Sequence, residues 1–186
     1  MPKPIIFLAF ANDRVDTARY LRDLPAELAG IRDALQKAKR TGLCEVVELA
    51  NVTVKQLLDT FQEYGDRIAV FHYGGHADGY QLLLEPQAAV AGTHHGLPAN
   101  RTAHGGGLVS FLAKQKGLQL IFFNGCSTGR QARELVAAGV PTVIGTNNAI
   151  ADGVATDLAV RFYNGLAEQK TIARAYQEAV DEIKIR

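Results

Sequence analysis

A cysteine and a histidine follow two similar segments of this chain, and their residue types could supply a nucleophile and its base. Residues 119–129 run Gln-Leu-Ile-Phe-Phe-Asn-Gly-Cys-Ser-Thr-Gly, an apolar stretch that ends in a glycine-flanked cysteine, Cys126. Residues 67–77 follow the same plan, with an apolar stretch, two glycines and then His76. The thiolate of a cysteine is its nucleophilic form, and an adjacent histidine can take the thiol proton. The pair therefore predicts nucleophilic catalysis by a thiol.

The elements that precede these two residues predict where their side chains lie. Short apolar runs that end on glycines indicate buried strands followed by tight turns, here at 68–73 and 120–123. If these strands are parallel neighbours, their carboxyl ends meet at one edge of the sheet, where ligands bind in open α/β folds. A helix is predicted from about Arg130, and its positive amino terminus would favour the thiolate.

Strand and helix patterns alternate along the rest of the chain. Further strands are predicted at 5–10, 44–49 and 141–145, and helices at 25–38, after the capping residue Thr53, at 108–116, at 152–166 and at 171–183. Residues 79–84 fit a small extra strand or hairpin, and 85–107 fit a long functional or mobile loop. The alternation predicts a parallel sheet with helices on both faces, and 186 residues suit a single domain.

Composition argues against several classes of protein. The net charge of +1 gives no electrostatic basis for binding nucleic acid or an anionic membrane, and no run of 18 apolar residues predicts a membrane span. Two cysteines are too few for a disulfide framework, which favours a cytoplasmic setting. The start of the chain suits a first strand better than a signal peptide. The helical pattern continues to the last residues, as in a fragment of a longer protein.

No cofactor or metal is expected from the motifs. The glycines at 105–107 lack the Lys-Ser or Lys-Thr of a phosphate loop. The histidines and Cys44 match no common zinc spacing, and His94 and His95 are adjacent, so they cannot share a face of a regular element. His72 is expected in a strand, the histidines at 94, 95 and 104 in a loop, and Cys44 as a buried structural thiol.

Both motifs resemble the CHAT family, the caspase-like cysteine peptidases related to separase. The Gly-His at 75–76 and the Gly-Cys-Ser-x-Gly at 125–129 carry the resemblance, and Cys126 follows His76 by 50 residues, much as in caspases. The segments at 139–146, 151–152 and 162–165 are also similar. The resemblance implies a caspase-like three-layer α/β/α sandwich with a mainly parallel central sheet, as one protease domain over 1–186.

The resemblance also implies roles for individual residues. Cys126 would be the nucleophile and His76 the general base and acid, as a dyad without a third orienting residue. The backbone N–H groups of Cys126 and Ala77 would form the oxyanion hole. The same residues also fit a purely structural interpretation, in which Cys126 is a small buried side chain and His76 a turn residue.

Two acidic residues are candidates for substrate binding. Similarity to separase-like and CHAT enzymes implies that Asp152 lies in the pocket for the residue before the scissile bond, where a carboxylate would select Arg or Lys. Asp13, after the first strand, is a second candidate. Asp152 could equally cap the helix that follows it, and Arg14 would favour an acidic substrate residue instead. The specificity therefore stays open at this point.

The function implied is that of a cysteine endopeptidase that cleaves a specific partner protein. Such a module would act as the effector of a bacterial signalling or defence system, fused to or associated with a sensor module, with no direct contact to nucleic acid or membrane. One alternative is a non-catalytic interaction module that keeps the caspase-like shape, and another is a flavodoxin-like nucleotide or flavin binder. The intact pair of His76 and Cys126 favours the enzyme, because neither alternative needs both residues.

Overall fold

Strands and helices alternate in the structure, a computed structural model that describes residues 2–13, 20–78, 80–85, 102–147 and 150–185. The strands in these ranges are β1 (Ile5–Ala11), β2 (Glu45–Leu49), β3 (Ile68–Gly75), β4 (Gln81–Leu83), β5 (Thr102–His104), β6 (Leu120–Asn124) and β7 (Val143–Ile144). The helices are α1 (Leu24–Arg40), α2 (Val54–Tyr64), α3 (Gly105–Leu112), α4 (Gly129–Ala137), α5 (Asp152–Ala167) and α6 (Ile172–Ile185).

Five strands form one parallel sheet in the order β2-β1-β3-β6-β7. The chain runs from β1 outward to β2 and then returns to the other side of β1 to form β3, so the strand order reverses there. β3 and β6 are neighbours near the centre of the sheet, as the predicted pairing of His76 with Cys126 requires. Their register pairs Gly74 with Asn124, and His76 and Cys126 each lie two residues beyond that pair.

Alternate side chains of β1 enter two separate cores on the two faces of the sheet. Phe7 packs edge-on against Phe61 of α2, in a core that also contains residues of α3 and α4. Leu8 belongs to the opposite core, together with Ile31 of α1 and Phe162 of α5. Both cores bury their side chains almost completely. The predicted three-layer α/β/α arrangement with a mainly parallel sheet is therefore confirmed.

The ends of the first two helices follow local sequence signals. Pro25 lies in the first turn of α1, where its missing N–H leaves no helical bond unmade. The helix ends at Arg40 with Thr41 as its C-cap, and Gly42 follows with φ of 75°. Thr53 and Gln56 form a reciprocal capping box at the start of α2. The predicted cap at Thr53 is thus confirmed.

The middle of the chain differs from the sequence prediction. The predicted loop at 85–107 contains β5, which pairs antiparallel with β4. The predicted helix at 108–116 instead runs from Gly105 to Leu112. Its start was missed in the sequence because glycines 105–107 carry no apolar periodicity. His104 accordingly lies in β5 rather than in a loop. Residues 86–101, which include His94 and His95, and also Gly79, lie outside the described residues.

The last predicted strand is also shorter than expected. Its apolar pattern suggested 141–145, but only Val143 and Ile144 pair with β6. Among the strands that the structure describes, β7 lies at the edge of the sheet and forms backbone hydrogen bonds with one neighbour, β6. It therefore has fewer strand contacts to stabilise a longer extended segment. In contrast, β3 continues two residues past its predicted end, to Gly75, and this brings His76 directly to the end of a central strand.

Candidate active site

The two turns that carry His76 and Cys126 touch each other. We call residues 76–78 the histidine turn and residues 125–128 the nucleophile turn. A Cβ atom at Gly125 would lie 2.7 Å from the carbonyl oxygen of Gly75 and 2.9 Å from Cβ of Ala77, so only glycine fits between the turns. The glycine before the cysteine is therefore a requirement of close approach between neighbouring strand ends.

His76 and Cys126 line the same cavity, of about 90 Å³, at the carboxyl edge of the sheet. We call it the site cavity. Its walls come from three places: the ends of β3 and β6, the region around the start of α1, and the start of α5. The lining residues are Leu21, Asp23, Leu24, Glu27, Gly75, His76, Asn124, Gly125, Cys126, Ile150, Asp152, Ala155 and Thr156.

Three carboxylates give the site cavity an acidic wall. Asp23 occupies the cap position of α1, Glu27 lies in its first turn, and Asp152 is the first residue of α5. Burial raises the pKa of Asp152, the negative charges of Asp23 and Glu27 raise it further, and His76 opposes them. Within the described part of the chain, the residues that line this cavity include no lysine or arginine. The cavity thus suits a positively charged side chain.

The carboxylate of Glu27, in the wall of the site cavity, is held by buried partners. Glu27 is 2 % exposed, and its Oε1 accepts a hydrogen bond of 2.8 Å from Nδ2 of Asn124. The same oxygen lies 3.0 Å from Nε2 of His72, a fully buried residue of β3 that stacks on Phe10. Nδ2 of Asn124 also bonds the carbonyl of Ala155. These bonds connect α1, β3, β6 and α5 at the site cavity.

The two predicted substrate-binding residues, Asp152 and Asp13, lie in different environments. Asp152 lines the site cavity; it is the first residue of α5, and the cap position before it is Ala151, without a side-chain cap bond. Asp13 lies just beyond β1 and is 3 % exposed, so its carboxylate is buried at the strand end. Arg14 lies outside the described residues.

Sequence analysis missed Asp23, Glu27 and Asn124 as site residues. Asn124 directly precedes the Gly-Cys motif, and its position at the end of an apolar strand was a usable signal. Glu27 lies on the buried face of α1 beside Leu28 and Ile31, where a lone acidic residue is unusual. A charged residue on an apolar helix face is the pattern that could have identified it.

The second cysteine, Cys44, lies far from the site in a buried environment. Burial raises the pKa of its thiol, so it is a poor nucleophile. Among the described residues, no group of three or more His, Cys, Asp or Glu side chains is arranged to hold a metal ion. In those same parts of the chain, every helix is too short or too polar to cross a bilayer.

Comparison with known proteins relates this geometry to a family and to a solved fold. A family model described as CHAT domain matches residues 2–184. No curated protein matches the chain in sequence. Among solved structures, the crystal structure of the Drosophila initiator caspase Dronc superposes with a TM-score of 0.61 at 8% sequence identity, covering 97% of this chain and 72% of that one. Similarity at this level shows the fold alone, and it confirms the caspase-like architecture.

Proposed function

Because this chain belongs to the CHAT domain family and has a caspase-like fold, we propose that it is a cysteine endopeptidase. The observation that supports this most is the position of His76 and Cys126. They lie at the carboxyl ends of neighbouring parallel strands and line one cavity. Cys126 lies three positions before Gly129, the first residue of α4, and the amino terminus of this helix favours negative charge nearby.

The proposed reaction proceeds through a thioester. His76 takes the thiol proton of Cys126, and the sulfur attacks the scissile carbonyl carbon. The oxygen of the tetrahedral intermediate accepts hydrogen bonds from the N–H groups of Ala77 and Cys126. The C–N bond then breaks, and the amine leaves with the proton from His76. Water, deprotonated by His76, hydrolyses the thioester to release the acid and restore the thiol.

We propose that the enzyme cleaves after a basic residue. The supporting observation is the acidic wall of the site cavity, where Asp23, Glu27 and Asp152 line the same space as His76 and Cys126. A guanidinium or ammonium group entering this wall would relieve the repulsion among the three carboxylates and make charge-assisted hydrogen bonds. Asp13 remains a second candidate contact.

The biological setting is proposed from family membership. Membership of the CHAT family suggests that this chain is an effector that acts on a protein partner. It would work in association with a sensor module, within a bacterial signalling or defence system. We also propose a cytoplasmic location, where the thiol of Cys126 stays reduced.

Active-site labelling tests the proposal. A peptidyl acyloxymethyl ketone with Arg next to its reactive group should label the wild-type chain and the Cys44→Ala variant equally. Labelling should be lost in Cys126→Ala and in His76→Ala. Labelling that persists in Cys126→Ala would refute the assigned nucleophile. Labelling by an Asp-directed probe alone would keep the dyad and refute the basic specificity. If no probe labels the chain, the non-catalytic interaction module becomes the better account.

A further inference from the structure

We propose that three hydroxyl groups, those of Tyr73, Thr128 and Thr146, hold the oxyanion hole in its active geometry before substrate arrives. The inference rests on the proposed function and assigns positioning residues to it. It starts from the carbonyl groups of Gly125 and His76, which belong to the same peptide units as the N–H groups of Cys126 and Ala77. Each of these two carbonyls is held by two donors.

The first peptide unit joins Gly125 to Cys126. The carbonyl oxygen of Gly125 accepts hydrogen bonds from Oγ1 of Thr146 at 2.5 Å and from Oγ1 of Thr128 at 3.3 Å. Oγ1 of Thr128 in turn accepts a bond from the N–H of Thr146 at 3.0 Å. The N–H of Gly129 bonds the carbonyl of Thr146, which closes the network. The segment after β7 thus fixes this peptide unit from one side.

The hydroxyl of Thr128 bonds outside its own helix. Thr128 occupies the cap position of α4, where a threonine side chain commonly bonds a free N–H of its own helix. Here it makes no such cap bond. The residue is fully buried, and its hydroxyl instead bridges Gly125 and Thr146. The helix thus lacks a side-chain cap, and the hydroxyl holds the peptide unit before the cysteine.

The second peptide unit joins His76 to Ala77. The carbonyl oxygen of His76 accepts a bond from the N–H of Leu83 at 2.9 Å and lies 2.7 Å from the hydroxyl of Tyr73. That hydroxyl also lies 2.5 Å from the carbonyl of Leu83, so its one proton is shared between two acceptors. Burial raises the pKa of Tyr73 far above its ordinary value, and the hydroxyl therefore stays protonated as a donor.

The held carbonyls determine where the two N–H groups point. In a trans peptide unit the carbonyl and the N–H point in opposite directions, and the described residues include no cis peptide bond. The carbonyl of Gly125 points toward the segment after β7, so the N–H of Cys126 points toward β3 and the histidine turn. Ala77 pairs with Leu82 in an antiparallel β-bridge. The backbone hydrogen bonds of this bridge are made by the neighbours of Ala77, which are His76 and Asp78, so the N–H of Ala77 itself points away from β4.

Both N–H groups therefore face the space between the two turns. A Cβ at Gly125 would lie 3.5 Å from the backbone nitrogen of Ala77, so this nitrogen lies close to the residue that precedes Cys126. An oxyanion-hole donor contributes about 10²–10³ to kcat, and this benefit depends on donors that need no reorientation during the reaction. Loss of a holding hydroxyl lets the peptide unit rotate and should remove part of that factor.

The test compares Thr146→Val with Thr146→Ser and with Thr60→Val. Thr60→Val is the control, because Thr60 is buried and bonds the carbonyl of Gln56 in α2, outside the site. Amide hydrolysis is measured on a fluorogenic peptidyl-arginine amide, and alkylation of Cys126 is measured with iodoacetamide. Alkylation creates no oxyanion, so it reports on the thiol alone.

Thr146→Val should lower kcat by about tenfold or more, with KM and the alkylation rate unchanged. It should also weaken inhibition by a peptidyl-arginine aldehyde, whose adduct places an oxygen in the same hole. Thr146→Ser should restore both properties, and Thr60→Val should match the wild type. Tyr73→Phe and Thr128→Val should show the same split between kcat and alkylation.

Two outcomes overturn the inference while leaving the proposed function intact. One is a Thr146→Val variant with wild-type kcat. The other is a parallel loss of hydrolysis and alkylation, which would mean that the threonine positions the thiol rather than the N–H. A wild-type chain that neither hydrolyses the arginine amide nor is labelled by the arginine probe would instead refute the proposed function, and the inference with it.

Discussion

At the scale of single residues, Asp152 lies in an environment unlike that of an ordinary exposed aspartate. It lies at the start of a helix, close to two other carboxylates and to His76. Such crowding of like charges is unfavourable for folding. A cationic side chain in the site cavity would offset this repulsion.

Asp152→Asn is expected to lower kcat/KM for peptides with Arg before the scissile bond. A hydrogen bond to a charged group contributes about 1.5–3 kcal/mol, so the loss should be roughly tenfold to a hundredfold. Asp33→Asn, an exposed substitution on α1, should leave kcat/KM unchanged. Steady-state kinetics on matched Arg and Leu peptides provides the measurement. An equal loss for both peptides would show that Asp152 acts on structure and not on specificity.

Asp152→Asn should also change stability in a pH-dependent way. The pKa of Asp152 is raised in the folded protein by burial and by Asp23 and Glu27. Between the ordinary aspartate pKa of about 3.9 and this raised value, the folded state binds more protons than the unfolded state, so the free energy of unfolding falls as pH rises. The Asp152→Asn variant should therefore have a higher Tm than the wild type at neutral pH, measured by thermal unfolding. A Tm gain that persists unchanged below about pH 3 would contradict this electrostatic cause.

At the scale of elements, the close contact of the histidine and nucleophile turns makes Gly125 a sensitive position. Gly125→Ala would place a methyl group 2.7 Å from the carbonyl oxygen of Gly75, and we expect a loss of about 1–3 kcal/mol in the free energy of unfolding. Gly106→Ala is the matched control, because nothing lies within 4 Å of its Cβ and it sits in α3. It should be neutral or stabilising by up to about 1 kcal/mol.

Urea denaturation of both variants, together with kcat on the arginine amide, tests this prediction. Gly125→Ala should lose activity even in the absence of urea, where it is fully folded, because the two turns are displaced. An active and fully stable Gly125→Ala protein would show that the turns are farther apart than the structure places them.

The elements were largely predictable from the sequence, while their partners were not. Apolar runs such as 120–123 report burial on both faces of a strand, and the capping pattern at Thr53 marks a helix start. These are local signals. Which strands are neighbours depends on the order of the sheet, and no local pattern gives that order. That the strands before His76 and Cys126 are neighbours was a condition of the sequence prediction, and the structure meets it.

The acidic wall of the site cavity was only partly predictable, for the same reason. Glu27 and Asn124 are hydrogen-bonded although 97 positions separate them in the chain, and only folding of α1 onto the sheet brings them together. Asp152 was identifiable because it follows a segment that carries the family resemblance. Asp23 and Glu27 lie on a helix that no motif marks, so chemistry alone could not single them out.

At the scale of the whole molecule, the two cores on opposite faces share one sheet, and we expect them to unfold together. Leu35→Ala affects the core beneath α1, and Leu57→Ala affects the core beneath α2; each should cost about 2–5 kcal/mol. Leu58→Ala, next to Leu57 but exposed, should cost far less. Urea unfolding followed by far-UV circular dichroism and tyrosine fluorescence should give coincident transitions with an unchanged m-value. Separate transitions would show two units in place of one domain.

The dependence of the nucleophile turn on the segment after β7 has a consequence for how the protein responds to warming. β7 is a two-residue strand with two register pairs to β6, and strands of this length fray before a central sheet melts. Fraying would release Thr146 from Gly125 while both cores remain intact. Hydrolysis should therefore decline at temperatures where circular dichroism still reports a native chain, and it should return on cooling. Heat would inactivate the protein reversibly before it unfolds the protein.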